Sequence, residues 1–117
     1  MVSGPAGEKS ILWVGSSRDD IRGFPERARQ DAGHELHKVQ RGLTPSNWKP
    51  MKSVWARVRE IKISADGEYR VLYVAQFAEC VYVLHAFEKK SQRTPQSALE
   101  LARRRLRKVQ ADRKAAR

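Results

Sequence analysis

The hydrophobic period of this chain changes partway along, and that change limits the fold more than any other feature. Between residues 54 and 87 the apolar positions run with a period near two, in segments 54–63, 69–77 and 81–87. These segments are rich in Val, Ile, Tyr and Phe, and such alternation reads as strand. Ala65, Asp66, Gly67 and Glu68 join the first two through an Asp-Gly turn, and Ala78, Glu79 and Cys80 join the next two. Two short connections in succession predict an antiparallel meander. In the first segment Val54, Ala56 and Val58 share one parity while Ile61 and Ile63 share the other, so a β-bulge is expected there.

Helical spacing flanks the meander. Ala28, Ala32, Leu36, Val39 and Leu43 recur at intervals of four and three, which predicts a helix over residues 25–41 with Gly42 as its stop. Before it, the apolar run Ile11, Leu12, Trp13, Val14 is long enough for one buried strand. Ser16 and Ser17 suit the cap of a short helix that opens with Asp19 and Asp20. Residues 44–53, with two prolines, read as a loop. Thr94 and Pro95 predict a capped helix whose stripe is Leu99, Ala102, Leu106 and Val109, fraying beyond Val109. The order strand, two helices, three strands, helix predicts an α+β domain with its helices packed on an antiparallel sheet. At 117 residues the chain has room for one domain: a flexible tail over 1–10, a folded unit over 11–109 and a basic tail over 110–117.

Charge narrows the function. The 24 Lys and Arg against 13 Asp and Glu leave a net +11, and the asymmetry lies after residue 50, where 16 basic side chains face 7 acidic ones. A surplus of that size points to a polyanionic partner such as nucleic acid or the ribosome. No apolar run reaches the roughly 20 residues of a membrane span, and no secretory leader is visible at Met1, so a cytoplasmic protein with no membrane partner is expected. The single Cys80 allows no internal disulfide. His34 and His37 lie three apart on a helix with no third ligand nearby in sequence, so no metal or other cofactor is expected.

The meander gathers cations at one end. Lys62 sits late in the first strand, Arg70 opens the second, and His85, Lys89 and Lys90 close the third. RNA cleavage by a neighbouring 2′-hydroxyl needs such a set: cations for the charge that builds on phosphate, and an imidazole to move a proton. Each residue also has a plain structural reading. Arg70 can cap the sheet by pairing with Glu60 or Glu68, and His85 can be a core histidine. Lys89 and Lys90 can form a solvated strand exit, and Trp48 and Trp55 can anchor loops.

The run Leu84, His85, Ala86, Phe87, Glu88, Lys89, Lys90, Ser91, Gln92, Arg93, Thr94, Pro95 resembles the phage-derived HigB-like branch of the RelE/ParE toxin superfamily. So do Glu60, Ile61, Lys62 and Tyr69, Arg70, Val71, Leu72, Tyr73 upstream, and the resemblance covers residues 11–109. It implies a RelE-like fold and the toxin of a type II toxin–antitoxin pair, a ribosome-dependent, metal-independent mRNA endonuclease. Its partners would be a helix-turn-helix antitoxin, the ribosome and mRNA, with DNA reached only through the antitoxin complex. Arg70 would then stabilise the scissile phosphate with Lys62 and Lys89, His85 would be the acid/base candidate, and Lys90, Arg93, Arg59 and Lys52 would hold RNA. A DNA gyrase inhibitor of the ParE branch and a non-catalytic RNA-binding module remain as alternatives.

Overall fold

The computed structural model describes residues 7–116. A five-stranded sheet runs β1-β5-β4-β3-β2, built from β1 (Ser10–Trp13), β2 (Trp48–Pro50), β3 (Arg59–Ser64), β4 (Glu68–Val74) and β5 (Cys80–Glu88). The helices are α1 (Ser17–Arg22), α2 (Glu26–Gln40) and α3 (Gln96–Ala115). The β3–β4–β5 meander is antiparallel as expected, and β2 pairs antiparallel with β3. β1 pairs parallel with β5, so the sheet is mixed. The α+β class and the helices against the sheet are as the sequence predicts.

Pleating splits the buried side chains between two layers. Ile61, Ile63, Tyr69, Val71 and Tyr73 face α1 and α2, where Ile21, Phe24, Ala28, Ala32 and Leu36 meet them. Val58, Leu72, Val74, Tyr82 and Leu84 face Ala102, Leu106 and Val109 of α3. Both layers exclude water from whole side chains, the dominant favourable contribution to folding. The turn between β3 and β4 places Asp66 at φ 55° and Gly67 at φ 145°, conformations that Asp tolerates and Gly adopts freely.

Several expectations are corrected. β3 begins at Arg59; residues 54–58 form turns in which the Val58 amide donates to the Trp55 carbonyl (3.1 Å). The change of parity is thus a strand boundary, and the sheet's irregularity lies at Leu72/Tyr73 in the β4–β5 pairing. The 44–53 loop contains β2, because Pro50 at a sheet edge has no ladder donor to forfeit. Leu43 lies past Gly42 and is exposed. Neither serine caps α1 with its side chain: Ser16 Oγ donates to Asp20, while buried Ser17 Oγ donates to the Val83 carbonyl. Pro95 is the cap residue of α3 in place of Thr94. That helix continues past Val109 to Ala115, held by Arg113 on Glu79 and over the Phe77 ring. Of the expected N-terminal tail, residues 1–6 lie outside the described residues, whereas Lys9 donates to the Ala75 and Phe77 carbonyls and Ser10 opens β1. Among the described residues, no helix is long and apolar enough to cross a membrane.

Candidate functional site

Register decides which basic side chains meet. Lys62 on β3 lies directly opposite Arg70 on β4, and Arg70 lies opposite Phe87 on β5. Directly opposed residues of an antiparallel pair share a face, so all three belong to the α3 side of the sheet. Glu60, two residues before Lys62, is on that face too and lies opposite Lys49 of β2. The chain then turns at Lys89, whose amide donates to the Glu68 carbonyl (2.7 Å), and Lys89 is close enough to Glu68 to favour its ionised form. Lys62, Arg70 and Lys89 are therefore brought to one end of the sheet.

Two like charges facing each other across a ladder repel, and the structure answers with carboxylates. Arg70 is buried, at 6% exposure. Its Nη1 donates to Glu68 Oε1 (3.0 Å) and to the Tyr69 carbonyl (2.9 Å), and its Nε lies 3.7 Å from Glu60 Oε1. Glu60 is fully buried, and Lys49 Nζ reaches to 3.9 Å of the same oxygen. None of these contacts to Glu60 is a hydrogen bond: both its carboxylate oxygens and Arg70 Nε are unsatisfied among the described residues. Above this floor, Glu68 is exposed and accepts from Ser64 Oγ, and these hydrogen bonds from Ser64 and Arg70 hold its pKa below the ordinary carboxylate value. Lys62 and Lys89 are half-buried, and Lys49 is exposed.

Other candidates stand apart from this cluster. His85 lies two residues along β5 from Phe87, stacked on that ring at 5.1 Å, with Nδ1 3.7 Å from Asp20 of α1. Burial pushes its pKa down and the Arg105 charge adds to this, against the opposing pull of Asp20, so the imidazole is neutral at pH 7. Arg105 itself ties α3 to β5 and to the turn before α1, donating to the Leu84 carbonyl (2.8 Å) and Ser16 Oγ (2.9 Å). Lys90 and Arg93 are exposed on the 89–95 connection, Lys90 beside Glu88 at 3.9 Å. Lys52 is exposed on the turn after β2. Arg59 is opposite Tyr73, so it points to the α2 side, with its guanidinium 4.2 Å from the Trp48 ring centre. The expected RNA-binding set is thus dispersed, with Arg59 on the α2 face of the sheet, Lys90 and Arg93 on the connection to α3 and Lys52 on the turn after β2.

The sequence reading missed Lys49, hidden in an assumed loop, and treated Glu60 and Glu68 only as possible partners of Arg70. The available signal was the two-residue spacing of Glu60 and Lys62, which puts acid and base on one face of a strand. A family model described as "Phage derived protein Gp49-like (DUF891)" matches residues 19–107. The chain belongs to the Gp49-like phage-derived family. No curated protein matches the chain. Among solved structures, the chain is similar to one in the toxin–antitoxin complex RelBE2 from Mycobacterium tuberculosis, at 20% identity and a TM-score of 0.47, over 70% of this chain and 99% of that one.

Proposed function

We propose that this protein is a HigB-like toxin that cleaves mRNA on the ribosome without a metal, and that a helix-turn-helix antitoxin restrains it in the cytoplasm. The observation that carries the reading is the direct opposition of Lys62 and Arg70, with Lys89 at the same strand end. Attack of a 2′-hydroxyl on the adjacent phosphorus forms one P–O bond and breaks the bond to the 5′-oxygen, which leaves with a proton. Negative charge gathers on the non-bridging oxygens between these events, and fixed cations lower the barrier by meeting it there. In this reading Lys62 and Lys89 meet the substrate from the rim. Arg70 acts from the floor, using the guanidinium edge that Glu68 occupies in the free protein. His85, neutral at pH 7, is in the form that accepts a proton. Lys90 and Arg93 extend the cationic surface along the connection to α3, and Lys52 extends it beside β2.

Lys62→Gln gives the cleanest test, since Lys62 is half-buried and removing it leaves no buried acid alone. Cleavage of a defined message on programmed ribosomes is expected to fall about 100-fold, the usual loss when one charge-stabilising donor is removed, with thermal unfolding unchanged. Wild-type protein that leaves the message intact but blocks DNA supercoiling in a parallel assay would replace this reading with gyrase inhibition.

A further inference from the structure

On the α2 side of the sheet lies a cavity of about 220 Å³, walled by Lys9, Val39, Leu43, Arg57, Arg59 and Tyr73, among others. The cluster of Lys62 and Arg70 does not contribute to it. Three of its walls are cationic, and none of those cations has a carboxylate within ion-pair distance among the described residues. Lys9 is held in place by the Ala75 and Phe77 carbonyls, and Arg57 and Arg59 lie over the Trp55 and Trp48 rings. Their charges are therefore fixed around the cavity at little further ordering cost. Tyr73 is 1% exposed, and its hydroxyl has no acceptor within hydrogen-bond distance among the described residues. Burial pushes the phenol's pKa up against the opposing pull of the neighbouring Arg59 guanidinium, so it keeps its proton; Arg59 can only donate to it, which leaves the phenol a donor lacking an acceptor. Positive walls beside an unused donor select an anion.

We infer that this cavity is a docking site for an acidic segment of a partner protein, which inserts a Glu or Asp carboxylate between Arg57 and Arg59 beside Tyr73. Size and polarity favour a peptide over a nucleic acid. The volume is below the roughly 300 Å³ at which small-molecule clefts begin, so it takes a side chain and not a whole nucleotide. Its rim carries Leu43, 51% exposed and one of two large apolar side chains so exposed among the described residues, with Val39 and Ala75 beside it. An aliphatic residue next to the carboxylate covers Leu43; a ribose-phosphate backbone has nothing to offer it. This site does not depend on the nuclease reading.

The probe is a fluorescein-labelled peptide of alternating Glu and Leu, titrated into the full chain and followed by anisotropy. A Gln-for-Glu version and labelled hexauridylate serve as controls. The acidic peptide is expected to bind at least about tenfold more tightly than its Gln version. Arg57→Gln with Arg59→Gln is expected to weaken it about tenfold or more, Tyr73→Phe and Leu43→Ser by about threefold each, and Lys62→Gln by less than twofold. Arg57→Gln alone changes an exposed side chain, so it preserves the test if Arg59→Gln unfolds the protein. Equal affinity for the two peptides, no binding at millimolar concentration, or indifference to Arg57→Gln would overturn the proposal. Hexauridylate binding that is lost with Arg57→Gln and kept with Lys62→Gln would also overturn it, by making the cavity a nucleic-acid site. None of these outcomes bears on ribosomal cleavage, which is read separately with Lys62→Gln.

Discussion

Two glutamates show how differently one small protein treats an acid. Glu79, half-exposed near the C-terminal end of α3, accepts from the Tyr82 hydroxyl (2.7 Å) and from Nε and Nη2 of Arg113. Those hydrogen bonds, Arg113 first, pull its pKa down to about 2. Glu60 is fully buried, accepts no hydrogen bond among the described residues, and has its cations at 3.7 and 3.9 Å. If stability alone shaped both sites, the buried acid would be the better satisfied, because an unsatisfied buried group costs more than an exposed one. The reverse arrangement marks the Glu79 end as a clamp for α3. It marks the Glu60 end as a place where Arg70 is held with bonding capacity unused. The Arg105 tie belongs with the clamps, its donors taken by the Leu84 carbonyl and Ser16.

The largest effect should come from Arg70→Ala. It strands Glu60 in the interior, so the chain is expected to lose about 3–5 kcal/mol of stability, the usual result of breaking a buried ion pair from one side. Because Arg70 is buried between Glu60 and Glu68, activity loss in that variant alone does not report on catalysis. The paired variant Arg70→Ala with Glu60→Leu sharpens the comparison: urea unfolding should recover most of the lost stability while cleavage stays absent. Recovery of both would make Arg70 purely structural.

Gly15→Ala should have a middling effect. The position has φ 56°, and a Cβ there would lie 2.6 Å from Arg105 Nε. Left-handed backbone at a residue with a side chain costs about 1–2 kcal/mol, and Arg105 would have to move off Leu84 or Ser16. Thermal unfolding should register the loss, and unchanged stability would mean that the Arg105 tie contributes little. The smallest effect is expected from Arg113→Gln, since its side chain is partly exposed and exposed pairs contribute little. Its signature is a pH dependence. Glu79 has a lowered folded pKa, so its contribution is complete above the ordinary carboxylate value near 4.5 and disappears as pH falls through about 2. The wild-type advantage over Arg113→Gln should shrink over that interval in acid unfolding curves, and an advantage constant with pH would remove Glu79 as its source.

Element types were legible in the sequence wherever the apolar pattern was long. The α2 stripe of Ala28, Ala32, Leu36 and Val39 and the alternation in β4 and β5 each repeat often enough for the period to show. Short pieces were not legible. β2 is three residues long and ends in Pro50, and its strand geometry exists only because β3 lies alongside. The start of β3 was misplaced for a related reason, since Val58 is as buried as a strand residue while its backbone closes a turn.

The candidate site divides along the same line. The sequence alone determined the chemistry available: a net +11, Lys62 and Arg70 flanking a tight turn, and Lys89 at the exit of the last strand. A two-residue period and a short turn suffice to bring such groups together, because both act between near neighbours in the chain. Only the tertiary structure decided what each cation faces. Tertiary packing buried Arg70 beside Glu60, β2 brought in Lys49, and strand parity sent Arg59 to the opposite side, beside Tyr73. Burial and ion pairing depend on which distant segments cover a face, and a one-residue shift in the pairing register of β3 would turn every side chain along it to the other face.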